Sequence, residues 1–282
     1  MLPIRSNLIP KLDFIQKNMA IRKDTLWEQF LSPVIQSLLD KEQMMAVRDR
    51  IDWQGTIDRY QAPEFSYPSY YHTQNYHGIE GGYLTQTAAI TYDPITQYVL
   101  PPYEPWVRQS LIDRVGTQPR RILDLGCGTG SMTVPLKQAF PGAVVTGLDL
   151  SPYMLAVAED RASQAGVEIE WAHGTAELTQ FEAGSFDLVT AALLFHETPP
   201  AIAQTILAES YRLLSAGGQL LILDGNQRTL RSLEWLNNIF EEPYIQAYAA
   251  GNLDAWLGKA GFDDVETTDV FWINQVTRGV KK

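Results

Sequence analysis

Apolar positions along the chain change their rhythm twice. From about Asn7 to Arg50 they recur at helical intervals, as Leu8, Leu12 and Ile15 and then Leu26, Phe30, Val34 and Leu38, which predicts short amphipathic helices. Pro33 falls where proline is tolerated, at a helix start or a kink. From Glu104 onward, compact apolar runs alternate with helical spacing. The runs predict strands at Arg121–Leu125, Val144–Asp149, Ile169–Ala172, Phe186–Ala191 and Gln219–Leu223. Helices are predicted at Trp106–Val115, Met132–Phe140, Tyr153–Ala165 and Pro200–Leu214. Phe140-Pro141-Gly142 and Ser215-Ala216-Gly217-Gly218 have the composition of helix stops. Strands alternating with helices predict βαβ units, and so an α/β fold around a parallel sheet.

The stretch between, roughly Ile51 to Pro105, follows neither period. Nine of the 13 tyrosines lie between Tyr60 and Tyr103. Pro63, Pro68, Pro94, Pro101, Pro102 and Pro105 interrupt it, and Gly78, Gly81 and Gly82 punctuate its middle. Such a segment reads as neither a regular strand nor a long helix. It is too aromatic for a disordered linker. Two readings stand side by side: the wall or lid of a ligand site, or an aromatic satellite core under a loop. The chain therefore divides into residues 1–105, a helical cap with an aromatic lid or substrate segment, and residues 106–282, the α/β core.

Composition narrows the class. At about 150 residues per domain, 282 residues suit one large domain or one domain with an appendage. Thirty-three acids against 22 bases give a formal charge of -11, which disfavours a nucleic-acid partner. The single cysteine excludes a disulfide framework and a cysteine metal cluster. No apolar run reaches the roughly 18 residues of a membrane span, and the N-terminus does not read as a signal peptide. A cytoplasmic location is the expectation.

The chemistry concentrates in Ile122-Leu123-Asp124-Leu125-Gly126-Cys127-Gly128-Thr129-Gly130, an apolar strand running into alternating glycines. Glycines let the backbone turn tightly and let a ligand approach the main chain. A dinucleotide fingerprint needs a further glycine where this chain has Ser131. Asp124 would repel a pyrophosphate but favour a ligand carrying a positive amino group. Asp149, at the end of the second strand, suits ribose hydroxyls. A nucleoside with an ammonium and no diphosphate describes S-adenosylmethionine.

Here the chain resembles the class I S-adenosylmethionine-dependent methyltransferases, and within them the small-molecule, methyltransferase type 11-like branch. The resemblance runs from Glu104 to Lys282. It implies a Rossmann-like, doubly wound seven-stranded sheet, mostly parallel with an antiparallel closing strand, and S-adenosyl-L-homocysteine as product. The loop Asp124, Gly126, Cys127, Gly128 and Gly130 is similar to the family's first motif, which cradles the methionine portion. Asp149 followed by Leu150-Ser151-Pro152-Tyr153-Met154 resembles the second, with the acid on ribose and Leu150 and Met154 flanking adenine. His173-Gly174-Thr175-Ala176-Glu177-Leu178 resembles the third, with Thr175 where the family often has Asp, and with the Ala176 amide near the ring. Phe186-Asp187-Leu188-Val189 resembles the fourth strand, and Ala191 at its end is assigned to the cofactor site. Tyr211-Arg212-Leu213-Leu214-Ser215-Ala216-Gly217-Gly218 resembles the turn before the fifth strand, and Trp256 to Val265 resembles the last helix and the start of a closing hairpin.

Methyl transfer is an in-line displacement helped by holding the reactants in line, with a general base where the acceptor arrives protonated. His196, after the fourth strand, is the expected base, with Glu197 orienting it and His77 as the second candidate. Tyr71, Tyr76 and Tyr83 would close over the sulfonium, gaining about 0.5–2 kcal/mol as a cation over aromatic faces, or would merely anchor their segment. Tyr71, Tyr76 and Phe195 are the expected substrate contacts, and Tyr83 a cofactor contact. Asp224 and Asn226 follow the fifth strand but lack a carboxylate partner at the end of the fourth, so no metal is expected. The function expected is methyl transfer to a small organic metabolite at O, N or C. The alternatives are a protein or RNA methyltransferase and a non-catalytic S-adenosylmethionine-binding protein.

Overall fold

The computed structural model describes residues 37–62, 64–77, 79–233 and 242–282. Most of the amphipathic stripe expected between Asn7 and Arg50 lies outside them. Helix α1 (Lys41–Arg50) is capped by Asp40, whose side chain accepts from Gln43 N–H, and α2 (Trp53–Tyr60) by Asp52 in the same way. A short turn at Ser69–His72 leads into a two-stranded ribbon, Asn75–Tyr76 against Ile79–Glu80.

The next element corrects the reading of this zone as free of long helix. Helix α3 (Gln86–Val99) runs 14 residues through Pro94. Thr85 caps it by accepting from Ala88 N–H. The Thr91 and Thr96 hydroxyls bond back to carbonyls one turn earlier, as threonines within helices do. Its buried side chains are mainly the threonines and alanines Thr87, Ala88, Ala89, Thr91 and Thr96, which the apolar periodicity did not register. Helix α4 (Glu104–Ile112) follows.

Seven strands then form one sheet: β1 (Arg121–Leu125), β2 (Val144–Asp149), β3 (Glu170–His173), β4 (Phe186–Ala192), β5 (Leu214–Gly225), β6 (Asp263–Val270) and β7 (Asn274–Val280). Their order is β3-β2-β1-β4-β5-β7-β6, with β7 antiparallel to both neighbours. Ile122, Leu123 and Leu125 of β1 and Leu220 to Leu223 of β5 have no exposed surface, as parallel strands covered on both faces require. Helices α5 (Thr133–Ala139), α6 (Pro152–Ala165), α7 (Pro200–Leu213) and α8 (Leu253–Ala260) cover the sheet. One apolar cluster packs α7 and α8 on one face, and another packs α4 and α5 on the opposite face. This is the doubly wound α/β fold, with its antiparallel closing strand, that the resemblance implied.

Strand β5 starts earlier than read. The helix stop does end α7, but the two glycines are taken into β5 as an irregularity: Phe186 pairs with Leu214, and the next register pair is Leu188 with Gln219. Gly217, at φ 79, donates to Lys281 O at 2.7 Å, and Lys281 N–H donates to Gly218 O at 2.9 Å. The sheet therefore closes through this bulge.

The aromatic segment packs on α6. Trp53, Tyr71, Tyr76, Ile79 and Tyr83 form one cluster with Met154, Ala156 and Val157. Arg50 pairs with Asp160 at 2.5 Å and Arg59 with Glu159 at 2.8 Å, and the Tyr60 hydroxyl donates to Glu159. The segment has its own core, as one of the two readings held, and one edge of that core faces the crevice described next.

Candidate active site

The sheet grows in one direction from β1 through β2 and β3 and in the other through β4 and β5. At such a switch point the flanking loops diverge and leave a crevice at the carboxyl ends of the strands. A cleft of about 690 Å³ lies there. Its floor is Gly126 and Gly128 after β1, Asp149 and Leu150 after β2, Gly174 and Ala176 after β3, and Ala192, Leu193 and Leu194 after β4. Gly128 sits at φ 53, and a Cβ built on it would meet nothing within 4 Å. The loop thus offers bare backbone to the cleft. Gly130 has a different duty: a Cβ there would stand 3.1 Å from Trp171 and 3.3 Å from Ala158, so its absence lets loop, strand and helix pack closely.

Asp149 is held at both oxygens. Gly128 N–H donates to Oδ2 and Ser151 N–H to Oδ1, each at 2.8 Å. Burial pushes its carboxyl up to about 6 despite these donors. Each oxygen keeps a lone pair for a ligand hydroxyl. Tyr70, Tyr71, Tyr83 and Tyr92 wall the other side. Tyr83 N–H donates to the Tyr71 hydroxyl at 3.0 Å, and the Tyr83 ring meets Tyr92 edge-on at 5.2 Å.

These residues fit a cationic nucleoside. The acids Asp149, Glu177 and Glu197 line the cleft, and among the described residues no lysine or arginine does. The Tyr70 hydroxyl donates to Glu177 Oε1 at 3.0 Å, while Glu177 Oε2 is buried and accepts nothing. A buried, unpartnered carboxylate oxygen calls for a donor. S-adenosylmethionine carries a sulfonium, an ammonium, ribose hydroxyls and an adenine amine. Leu150 and Met154 line the cleft as expected for the adenine side.

Several expected residues stand behind the wall rather than in it. Asp124 is buried, with its oxygens accepting from the Thr133 and Thr190 hydroxyls at 2.7 Å each, so it braces β1 against its neighbours and does not face the cleft. Cys127, Gly130, Thr175 and Ala191 do not line the cleft either, while Thr175's neighbours Gly174 and Ala176 do. Tyr76 is fully buried, stacked on Tyr71 at 4.9 Å, with its hydroxyl donating to Tyr70 O. Phe195 has no exposed surface and belongs to the core under α7. Alternation explains both: a ring on the inward face of a turn or ribbon packs, and its neighbour faces the cavity.

A second chamber, of about 720 Å³, adjoins the first and shares Tyr92, Leu193 and Glu197 with it. His77, His196, Glu197 and Glu242 meet there, beside the apolar side chains of Leu100, Leu230, Ile245 and Ile273. Both expected histidines are therefore in one place. Leu193, in the dividing wall, and His77, in the ribbon turn, hold φ 62 and φ 48, a conformation that costs a non-glycine residue free energy and concentrates at functional sites.

His196 has a partner that sequence reading set aside. Its Nδ1 lies 2.7 Å from Oδ1 of Asp224, a fully buried residue whose Oδ2 accepts from Phe195 N–H at 2.9 Å. Burial works against charge on this ring, but Asp224, with help from Glu242 and Glu197, pushes it up to about 10. Glu197 is raised by burial and by Glu242, and it accepts from the Tyr83 hydroxyl at 3.2 Å. Asn226 is structural: it caps the helix Gln227–Ser232 and donates to Asp269. Tyr92, Glu177, Leu193, Asp224 and Glu242 are the site residues that sequence reading missed or set aside. Of these only Asp224 and Glu177 stood next to a motif.

A family model described as "Methyltransferase domain" matches residues 122–218. The chain is 39% identical over 154 residues to a demethylmenaquinone methyltransferase of Thermus thermophilus, covering 54% of this chain and 69% of that protein. It is 40% identical over 151 residues to an uncharacterised methyltransferase of Synechocystis, covering 51% and 66%. A ubiquinone/menaquinone biosynthesis C-methyltransferase of Methylobacterium nodulans is 34% identical over 146 residues, with 50% and 57% covered. Among solved structures, human N-acetylserotonin methyltransferase bound to S-adenosylmethionine superposes with TM-score 0.58 at 17% identity, over 90% of this chain and 68% of that one. Phosphoethanolamine N-methyltransferase 2 of Haemonchus contortus, also with the cofactor, gives 0.56 at 20% identity, over 71% and 58%. The structural likenesses establish the fold. With the sequence matches and the cleft chemistry, they make this chain a member of the class I S-adenosylmethionine-dependent methyltransferases.

Proposed function

We propose that this protein methylates a small organic acceptor seated in the second chamber, a hydroxylated aromatic or quinol-like ring with an apolar portion. The observation that carries the reading is the shared wall. Tyr92, Leu193 and Glu197 border both chambers, so a donor in one and an acceptor in the other would meet across them. When bound, S-adenosylmethionine supplies an electrophilic methyl group that an acceptor displaces in line.

The chain's own residues do the rest. Asp149 and the bare backbone at Gly128 hold the nucleoside. The tyrosine wall narrows the cleft and limits water beside the reacting atoms. His196, fixed by Asp224, and Glu197, fixed by Tyr83, form a polar end that orients an acceptor oxygen, and Leu230, Ile245 and Ile273 receive its apolar portion. Holding the nucleophile in near-attack geometry is worth up to about 7–11 kcal/mol in favourable cases. The quinone-pathway relatives agree with a ring acceptor of this kind. Residues 1–105 would act as the cap that completes the pocket, since the turn Ser69–His72, the ribbon with the residues after it, and α3 contribute Tyr71, His77, Tyr83 and Tyr92 to it.

The test offers methyl-labelled S-adenosylmethionine and purified protein to a cell extract separated into small-molecule, lipid, protein and RNA fractions. Label in the small-molecule or lipid fraction is expected. Label confined to protein or RNA would overturn the reading.

A further inference from the structure

The second chamber brings together four side chains that ligate metals. His77 comes from the ribbon turn, His196 and Glu197 from the turn after β4, and Glu242 from the segment before the helix Ile245–Ala250. One ring nitrogen of each histidine and one carboxylate oxygen of each glutamate all lie within 4.8 Å of one another. Donors bound at about 2.1 Å to a tetrahedral ion stand about 3.4 Å apart. Closing the widest pair therefore takes up to about 1.4 Å of movement, shared between two side chains.

Three further observations point to a ligand. The Glu242 side chain has 0% exposure; its Oε1 pairs with His77 Nε2 at 2.7 Å, and its Oε2 accepts no hydrogen bond from the described residues. A buried carboxylate oxygen with no donor is unfavourable unless a cation or a donor completes it. His196 presents its Nδ1 to the buried carboxylate of Asp224, the outer pairing that fixes the tautomer of a metal-ligating histidine and leaves its other nitrogen for the ion. Among the described residues, no lysine or arginine lines the chamber.

We propose that His77, His196, Glu197 and Glu242 bind one first-row divalent transition ion, with zinc as the best match. Two imidazoles with two carboxylates suit zinc or iron(II) better than magnesium or calcium, which prefer all-oxygen sets. The ion would hold an oxygen of the methyl acceptor as a Lewis acid. The Asn274 Nδ2, buried in the same chamber without an acceptor, is a donor available to that molecule. This second role rests on the chamber being the acceptor site; the ion site itself does not. The absence of a metal expected from strand ends alone is revised accordingly, because His77 and Glu242 lie in segments without a motif.

The experiment strips the full-length protein with a chelator and titrates it with Zn2+ by calorimetry and with Co2+ by its visible absorption. One ion per chain is expected, with the band of nitrogen- and oxygen-ligated cobalt. Glu242→Gln and His77→Ala should each weaken binding at least about tenfold, and Asp224→Asn about 10- to 100-fold through His196. The double variant Glu242→Gln/His77→Ala should take up no ion saturably. Cofactor affinity measured on the same samples shows that each variant is folded. Failure of the wild type to bind Zn2+ or Co2+ saturably, or wild-type affinity in the double variant, would overturn the ion site. Ion binding as expected with label confined to protein or RNA would instead overturn the acceptor reading and leave the ion site standing.

Discussion

The backbone N–H of Gly128 reaches across 2.8 Å to Oδ2 of Asp149. The glycine loop and the acid we propose for the ribose are therefore one unit, and disturbing either should move both. Asp149→Ala removes that brace together with the acceptor for two hydroxyls. Hydrogen bonds to a charged group are worth about 1.5–3 kcal/mol each, so cofactor affinity should fall about 10- to 100-fold or more by calorimetry. An unchanged dissociation constant would remove Asp149 from the ribose site.

The same carboxyl sets a pH dependence. Burial raises it to about 6 in the ligand-free protein. Above that pH it is ionised and accepts the ribose hydroxyls; below it the proton occupies an acceptor lone pair. Cofactor affinity should therefore hold through neutrality and decline as pH falls through about 6, approaching tenfold per unit if only the ionised form binds. Asp124 also titrates near 6, so Asp149→Asn is the control. An acid decline just as steep in that variant would assign the effect to Asp124.

Asp93 of α3 accepts from the Thr129 hydroxyl at 2.7 Å and the Ser131 hydroxyl at 2.6 Å, and it pairs with Arg161 of α6. Ser131, which distinguishes this loop from a dinucleotide fingerprint, thus serves as a brace. Asp93→Ala should cost about 1–3 kcal/mol of stability and loosen the loop enough to weaken cofactor binding. Thermal unfolding with and without cofactor measures both. Wild-type values in each would show the brace to be idle.

Tyr83 offers a ring to the cleft and a hydroxyl to Glu197. Tyr83→Phe keeps the ring. Cofactor affinity should stay within about twofold while turnover falls about tenfold, the signature of a hydroxyl that positions the acceptor side. Equal losses in affinity and turnover would place the hydroxyl on the cofactor instead.

His196→Ala should lower turnover about 10²- to 10⁴-fold, the range for removing a group that manages the acceptor's proton or oxygen. Cofactor affinity should be nearly unaffected, because His196 lines the second chamber and not the first. Asp224→Asn should give a smaller loss in the same direction. Full turnover in His196→Ala would free that ring of any role in the chemistry.

Much of the core could be read along the chain because one-dimensional patterns encode it. β1 and β2 occupy the positions their apolar runs predict, and Asp149 stands where a strand end meets a helix cap. The acceptor side was less legible. Glu242 and His77 are 165 positions apart in sequence, and nothing in either neighbourhood announces the other; only the fold brings them to 2.7 Å. Asp224 looked like loop polarity until β4 and β5 set it beside His196. Tyr92 was hidden in a helix whose proline and tyrosines imitate a coil. Alternation also misled, since Tyr76 and Phe195 carry the right chemistry on the inward face of their elements.

The carbonyl of Tyr83 accepts from the Ser151 hydroxyl at 2.6 Å, and Ser151 N–H in turn holds Asp149. The acid proposed for the ribose and the anchoring of the aromatic segment thus share Ser151. By linkage, whatever free energy the docked segment adds to cofactor binding the cofactor returns to docking; were only the docked state to bind, cofactor at 100 times its dissociation constant would add about 2.7 kcal/mol to it. The acceptor chamber, walled by that segment, should then be better formed after the donor has arrived. Sequential kinetics with cofactor entering first is what such a clasp dictates.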